Sequence, residues 1–139
     1  MRRARVAGAA VCALIALAAL AWWVTRADVR PAPPPGAVPG CSLASLPPQA
    51  RDTVRLVQDG GPFRYPRHDG VVFANREGHL PAQARGYYHE YTVVTPGARN
   101  RSMRRIVTGG QPLTDPPQYF YTADHYDSFC AITDAGRRR

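Results

Sequence analysis

The stretch "GYYHEYTVVTPG", residues 86–97, decides the fold of this chain. Tyr, Thr and Val dominate it, and these residues suit a pleated, half-buried β-strand that ends at Gly on one side and at Pro-Gly on the other. Side chains alternate between the faces of a strand, and the odd positions from Tyr87 to Val93 look more like core. Glu90 therefore points to the opposite face, which is either concave or open to solvent.

One helix precedes this strand, and four more strand candidates surround it. Residues 45–61, "SLPPQARDTVRLVQDGG", predict a helix because two prolines lie at the first turn, Ala50, Val54 and Val57 follow helical spacing, and two glycines end it. The five strand candidates, bounded by Gly, Pro and Asn/Asp clusters, are residues 70–77, 86–94, 104–110, 118–122 and 128–133. This order predicts an α+β domain in which one N-terminal helix packs on a small antiparallel β-sheet.

The first forty residues differ from the domain. They begin "MRRAR" and continue with an uncharged apolar run of nineteen residues from Val6 to Val24. Such a run is long for the core of a signal peptide and about long enough to cross a bilayer, so a cleaved signal and a retained anchor both remain open. In either case the domain faces outward, secreted or anchored to the membrane. The predicted divisions are an export signal or membrane anchor at 1–27, an extended Pro-rich linker at 28–40, the domain at 41–136 and a basic tail at 137–139.

Charge is compatible with a polyanionic partner. The net charge is +8, and all 18 basic residues are Arg. From Cys41 onward, with the tail included, 13 Arg stand against nine acidic residues, so the domain together with its tail is moderately basic. Planar guanidinium groups suit phosphate and carboxylate, although GC-rich codon usage would give the same bias. The sequence contains no HExxH, GxxxxGK, GxGxxG or CxxC motif, so we predict neither a metal nor a cofactor.

Cys41 and Cys130 bracket the domain. Two outward-facing cysteines favour a disulfide, which would close a loop of about 90 residues and stabilise a small domain by a few kcal/mol on the chain-entropy model. Two unpaired thiols are the alternative.

Three kinds of side chain form a candidate catalytic set. Glu90 lies on a central strand, Arg104 and Arg105 lie on the next, and His125 follows in the loop "YTADHYDSF". A carboxylate base, a guanidinium and an imidazole acid are what cleavage of RNA requires without a metal, because the 2′-hydroxyl of the substrate is the nucleophile. The alternative is that Glu90 only forms a surface ion pair with an Arg on the neighbouring strand.

Several stretches resemble the guanyl-specific ribonucleases secreted by bacteria, within the barnase-related microbial ribonuclease family. The resemblance lies in "CSLASLPPQARDTV", "GGPFRYPRHDGVVFANRE", "GYYHEYTVVTPGARNRSMRRIVTG" and "DHYDSF", in the same order and at similar spacing. It implies the microbial ribonuclease fold and an endoribonuclease that cleaves single-stranded RNA after guanosine. The reaction implied is transesterification to a 2′,3′-cyclic phosphate followed by hydrolysis, with no metal or cofactor.

The resemblance also implies roles for individual residues around the phosphate. Glu90 matches the general base and His125 the general acid. Arg105 matches the arginine that binds the phosphoryl oxygens, Arg101 matches a second phosphate contact, and Tyr126 would lie by the phosphate.

The resemblance implies a second set of residues that would recognise the guanine base. The segment "VVFANRE", residues 71–77, matches the guanine loop of the family, in which Glu77 accepts hydrogen bonds from N1–H and the exocyclic amine of guanine. The other members, which stack on the base, shape the turn or donate backbone N–H groups, would be Phe73, Ala74, Asn75 and Arg76.

The sequence departs from the family in two places, and other functions remain open. The second cysteine lies inside the last strand rather than at the extreme C-terminus, and residues 111–118 lengthen the turn before the loop of His125. One alternative is a catalytically weak, surface-tethered RNA-binding module, and another is an antibacterial ribonuclease toxin. We also expect a monomer, and a barstar-like inhibitor whose acidic face covers Arg101, Arg105 and His125.

Overall fold

The computed structural model describes residues 37–136, which form one helix and a six-stranded sheet. Helix α1 is Pro48–Asp59, and a short 3-10 turn, Leu43–Ser45, precedes it. The strands are β1 Gly40–Cys41, β2 Val71–Val72, β3 Tyr88–Thr92, β4 Arg105–Gly109, β5 Gln118–Thr122 and β6 Cys130–Ile132. Their order across the sheet is β1-β6-β5-β4-β3-β2. The predicted α+β class, with the helix packed on the sheet, is confirmed.

The N-terminal part of the chain is only partly described. The predicted export segment, the linker up to residue 36 and the basic tail lie outside the described residues. Within residues 37–136, no helix is long and apolar enough to cross a membrane.

The sheet differs from the prediction at one edge, where it is parallel. Strand β1 pairs parallel with β6, with Gly40 opposite Ala131, and the carbonyl of Pro39 accepts a hydrogen bond from the Ala131 N–H. The last residues of the predicted linker therefore belong to the fold. A two-residue strand is too short to show alternation in the sequence, which is why it escaped the strand prediction.

Helix α1 buries one side against the sheet. Its buried residues, Ala50, Thr53, Val54 and Val57, follow the predicted helical spacing. Gly60, at φ 74°, ends the helix in the left-handed conformation that glycine adopts without strain. The Thr53 hydroxyl lies 3.2 Å from the carbonyl oxygen of Thr92 and so joins the helix to β3.

The two faces of the sheet carry separate apolar clusters. The helix face holds Tyr91, Val93 and Ile106, which pack with α1. The opposite face, called here the open face, holds Tyr88, Val107 and other members of a smaller cluster that includes Leu80, Phe120 and Phe129. Tyr91 and Val93 thus face the helix, as predicted, and Glu90 lies on the open face. Tyr87, predicted on the same side as Tyr91, instead packs against the open-face cluster, because it precedes β3 and does not share its alternation. The even side contributes to a core as well, because Tyr88 is also buried.

Candidate active site

The carboxylate of Glu90 is held inside the open face rather than solvated. Its side chain is only 15% exposed, so the charge requires nearby partners. Arg101 Nη2 lies 3.8 Å from Glu90 Oε1, and the Tyr126 hydroxyl donates a hydrogen bond to Oε2. The residue opposite Glu90 on β4 is Val107, which excludes the cross-strand ion pair considered from sequence. The arginine comes instead from the loop between β3 and β4.

Two arginines present donors that no part of the described protein accepts. Arg101 Nε donates to Thr92 Oγ1 at 3.0 Å, and Arg105 Nη1 donates to the carbonyl oxygens of Arg101 and Arg104. Arg105 is 2% exposed. Among the described residues, Arg101 Nη2 and Arg105 Nε have no hydrogen-bond partner. A buried donor without an acceptor costs about 1–3 kcal/mol, so this pair is suited to bind an anion.

The loop after β5 places His125 next to Tyr126, the residue whose hydroxyl bonds Glu90. His125 and Tyr126 have φ angles of 60° and 80°, an uncommon conformation for residues other than glycine. The two rings lie 4.7 Å apart, and His125 is exposed. The imidazole is thus accessible to a leaving group at the edge of the site.

Asp124 holds this loop in shape. Its carboxylate accepts hydrogen bonds from the Ser128 N–H, the Ser128 hydroxyl and the Thr122 hydroxyl. The hydrogen bonds from Ser128 contribute most to lowering the pKa of Asp124 to about 2. The N–H of Tyr126 donates to Thr122 Oγ1 at 3.1 Å, which fixes the backbone next to His125.

Tyr126 links the candidate catalytic residues to the predicted guanine loop. Its ring lies 4.9 Å from Phe73, and its hydroxyl is bonded to Glu90. Burial raises the pKa of Tyr126 to about 12, with a further contribution from the hydrogen bond to Glu90. The phenol therefore stays protonated at neutral pH and acts as a donor. The resemblance predicts Tyr126 beside the phosphate, and the structure places its hydroxyl on the carboxylate of Glu90.

The predicted guanine loop, residues 73–77, is a turn that follows the two-residue strand β2. The strand predicted over 70–77 is therefore shorter, and Asn75 turns the chain at φ 48°. The Asn75 side chain bonds both the N–H and the carbonyl of Leu80. No described residue accepts a hydrogen bond from the N–H groups of Ala74, Asn75 or Arg76. These donors are available to a ligand.

Glu77 ends this loop and is exposed. Within residues 37–136 its carboxylate has neither a hydrogen-bond nor an ion-pair partner.

His89 connects the two ends of the chain segment that carries this loop. Its Nδ1 lies 2.9 Å from the carbonyl oxygen of Gly70, and its Nε2 lies 3.1 Å from the carbonyl oxygen of Gly86. His89 therefore has a structural role.

Both departures from the family pattern leave the site intact. Cys41 and Cys130 form a disulfide between β1 and β6, with Cα atoms 5.7 Å apart. The long turn at 111–118 precedes β5, whereas His125 follows β5, and five residue pairs hold β5 against β4. The extra turn therefore lies at the opposite end of the strand from the catalytic loop. In the described part of the chain, no group of three or more His, Cys, Asp or Glu side chains is placed to hold a metal ion.

Comparison with known proteins agrees with this geometry. A sequence profile described as ribonuclease matches residues 33–133. The chain belongs to the ribonuclease family. Guanyl-specific ribonuclease Sa of Kitasatospora aureofaciens is 56% identical over 90 residues, which cover 65% of this chain and 88% of that protein. Guanyl-specific ribonuclease Sa3 of the same organism is 59% identical over 86 residues, 62% of this chain and only 57% of that protein.

A solved structure with a nucleotide matches the fold of this ribonuclease as well. Ribonuclease Sa2 with guanosine-2′-cyclophosphate superposes with a TM-score of 0.63 at 44% identity, and the match covers 73% of this chain and 100% of that one. The microbial ribonuclease fold predicted from the sequence is confirmed.

Sequence reasoning missed the residues that position the site. Thr92 orients Arg101, while Asp124 and Ser128 shape the loop of His125. The signal for the second pair was present, because Asp and Ser spaced four apart around a loop commonly bond side chain to backbone. Thr92 gave no such signal, since its contact depends on how the following loop returns to the sheet.

Proposed function

We propose that this ribonuclease cleaves single-stranded RNA on the 3′ side of guanosine. The observation that carries the proposal is the cluster of the half-buried Glu90 and Arg101 with the buried Arg105, in which two guanidinium N–H groups lack a partner among the described residues beside an exposed loop histidine. The names of the guanyl-specific relatives support the choice of base.

In the first step, Glu90 removes the proton from the 2′-hydroxyl, and the 2′-oxygen forms a bond to phosphorus. The bond from phosphorus to the 5′-oxygen of the next nucleotide breaks, and His125 protonates that oxygen. The product is a 2′,3′-cyclic phosphate. Arg101 and Arg105 donate to the nonbridging oxygens, where negative charge grows in the transition state.

In the second step the two residues exchange roles. His125 removes a proton from water, the water oxygen attacks phosphorus, and Glu90 returns a proton to the 2′-oxygen as the ring opens to a 3′-phosphate. The hydrogen bond from Tyr126 to Oε2 holds the carboxyl group of Glu90 in one orientation, so that Oε1 can take the proton and later return it. Every proton moves between the substrate and residues of this chain, so we expect the reaction to proceed without a metal or cofactor.

Selectivity for guanine arises in the loop at 73–77. Ala74, Asn75 and Arg76 offer backbone donors to the O6 and N7 acceptors of guanine, and Glu77 accepts from N1–H and the exocyclic amine. Phe73 supplies aromatic surface for the base. Adenine presents a donor where guanine presents O6, so polar groups of the loop would remain unpaired.

We also propose that the enzyme acts outside the cytoplasm, as a monomer. The Arg-rich start and the apolar run before residue 25 support export, either with a cleaved signal or with a retained anchor. The disulfide between Cys41 and Cys130 supports an oxidising compartment. Removal of residues 1–36 should abolish export of an epitope-tagged chain while its cleavage activity is retained; retention of export would contradict this assignment.

A barstar-like inhibitor would protect the cell that makes the enzyme. The supporting observation is the positive charge of Arg101 and of Arg105, which lies just beneath the surface, beside the exposed His125; an acidic face would cover this charge. Arg105→Ala should then weaken inhibitor binding, and unchanged binding would place the inhibitor elsewhere.

The reaction is tested with dinucleotides. Purified protein in EDTA is mixed with GpU, ApU and UpU, and the products are separated. We expect GpU alone to be cleaved efficiently, with cyclic guanosine 2′,3′-phosphate as the first product. Equal cleavage of all three would overturn the base assignment, and failure of the folded protein to cleave any would overturn the catalytic one.

A further inference from the structure

Thr92 is buried between the two arginines of the candidate site. It follows Glu90 by two residues on β3, so both side chains lie on the open face, and it pairs with Arg105 on β4. Thr92 is 5% exposed, and its hydroxyl accepts a hydrogen bond from Arg101 Nε at 3.0 Å. Among the described side chains, Thr92 alone accepts a hydrogen bond from this guanidinium, because the 3.8 Å between Arg101 Nη2 and Glu90 is too long for one.

The position of the Thr92 hydroxyl is fixed by contacts on both sides of the strand. The Thr92 N–H donates to Asp69 Oδ1 at 2.7 Å, and the Thr92 carbonyl oxygen lies 3.2 Å from the hydroxyl of Thr53 on α1. The β-branched side chain of a threonine also has few rotamers. The hydroxyl is therefore a stationary acceptor, which holds the guanidinium in one place.

Arg101 has a competing partner within the site. Its Nη2 is buried without a hydrogen-bond partner in the described part of the chain, and the nearest carboxylate oxygen is Glu90 Oε1, at 3.8 Å. Guanidinium and carboxylate groups that are free to move form shorter, often bidentate pairs. Such a pair would occupy both the donor that a phosphate needs and the carboxylate that accepts the proton of the 2′-hydroxyl. The bond from Nε to Thr92 keeps Nη2 beyond hydrogen-bond distance of Glu90.

We propose that Thr92 is a positioning residue that keeps Arg101 available for the phosphate of the substrate. The inference rests on the proposed function, because it takes the phosphate to bind at Arg101 and Arg105. Arg105 is oriented differently, since its Nη1 donates to two backbone carbonyl oxygens. A single substitution can therefore release Arg101 and leave Arg105 in place.

Thr92→Val tests the proposal, because it removes the acceptor and keeps the shape of the side chain. We expect kcat/KM on GpU to fall about tenfold to a hundredfold, the size of one hydrogen bond to a charged group. Thr92→Ser, which keeps the hydroxyl but has more rotamers, should stay within about threefold of wild type. Thr92→Ala also lacks the hydroxyl and repeats the test with a smaller side chain. The Tm of each variant shows that it is folded at the assay temperature.

Thr53→Val is the matched control. Thr53 is 4% exposed, and its hydroxyl contacts the carbonyl oxygens of Gln49 and Thr92 but no arginine. This variant also loses a buried threonine hydroxyl next to β3, so it should lower Tm and leave kcat/KM on GpU unchanged.

Nucleotide binding separates the phosphate from the base. The Kd of each variant is measured for guanosine 3′-monophosphate and for guanosine, which carries no phosphate. Thr92→Val should raise the Kd of the nucleotide about tenfold and leave that of the nucleoside unchanged. Equal weakening of both would mean that the whole site is loosened, and it would overturn the positioning role.

A double-mutant cycle tests whether Thr92 acts through Arg101. In an Arg101→Ala background the partner of the Thr92 hydroxyl is already absent, so Thr92→Val should change kcat/KM by no more than about twofold. A further loss of tenfold in that background would show that Thr92 acts by another route, contrary to the proposal.

The proposed function and the positioning role can fail separately. If the wild-type enzyme does not cleave GpU, the proposed function fails and the positioning role fails with it. If the wild-type enzyme cleaves GpU but Thr92→Val has the same kcat/KM as Thr53→Val, only the positioning role is overturned.

Discussion

The two faces of one sheet differ in the polar groups that they bury, hydroxyl groups on the helix face and charged groups on the open face. On the helix face, Ile106 and Val93 are fully buried beneath α1, and the Thr53 hydroxyl there is hydrogen-bonded to a backbone carbonyl. On the open face, Glu90 and Arg105 lie on neighbouring strands with side chains that are half-buried and buried, and the Arg105 Nε–H has no hydrogen-bond partner among the described residues. Both faces bury apolar side chains that stabilise the fold, but the open face also buries charge, which costs stability and leaves a site suited to an anion.

Glu90→Gln should distinguish most clearly between the contribution of the open face to activity and that of the helix face to stability. The amide keeps the shape of the side chain and an oxygen for the Tyr126 hydroxyl, but it cannot accept the proton of the 2′-hydroxyl. We expect kcat on GpU to fall about 10²–10⁴-fold, the contribution of a general base, with little change in thermal stability. Near wild-type turnover would remove Glu90 from the base role. A large fall in Tm would mean that the open face also stabilises the fold.

Ile106→Ala tests the helix face, and it should lower stability while kcat is retained, the reverse of the result expected for Glu90→Gln. Ile106 is 0% exposed, and its truncation leaves a cavity, so the free energy of unfolding should fall by about 2–5 kcal/mol. The folded fraction should keep its kcat, as measured below the unfolding transition. Met103→Ala is the control, because Met103 is 58% exposed and should change stability by less than about 0.5 kcal/mol. Loss of kcat in folded Ile106→Ala would break the separation of the faces.

How much of each face can be predicted from the sequence depends on how far apart in the chain the interacting residues lie. Helix α1 and the faces of β3 were predictable because periodicity and end signals are local, as at Ala50 and Gly60. The resemblance supplied Glu90, Arg101, Arg105 and His125 as a set, and the structure brings these four to one end of the open face. Their hydrogen bonds were not predictable.

Other features depended on parts of the chain that are distant in sequence. The parallel pairing of β1 with β6 joins residues about 90 apart, as does the disulfide. The bond from Tyr126 to Glu90 depends on a loop whose conformation, with two residues at positive φ, has no simple sequence signature. Strand β2 was predicted too long because "VVFANRE" has the composition of a strand, yet Asn75 turns the chain to bond Leu80.

Glu77→Ala tests whether base selection on the open face is separate from catalysis by Glu90 and His125. Loss of one bidentate base contact costs about 1–3 kcal/mol of discrimination, so the preference for GpU over ApU should fall about 5- to 150-fold. Cleavage of UpU, which does not use this contact, should stay the same. An unchanged preference for guanine would mean that the base is read by another part of the chain.

The smallest expected effect concerns the loop of His125 and depends on pH. The folded pKa of Asp124 is about 2, below its ordinary value of 3.8, so its contribution to stability is present above pH ~4 and is lost as the pH falls towards about 2. Its bonds to Ser128 are exposed, so Asp124→Asn should cost less than about 1 kcal/mol at pH 7. The gap in Tm between wild type and variant should narrow as the pH is lowered from 6 to about 2.5. A gap that widens in acid would contradict the assigned direction of the pKa shift.

The most direct test of the functional role of the open face is a crystal structure with guanosine 3′-monophosphate. We expect the phosphate to contact Arg101 and Arg105 beside His125, and the base to contact Glu77 and the N–H groups of residues 74–76. A nucleotide bound on the helix face, or one bound on the open face with its phosphate away from both arginines, would contradict the account.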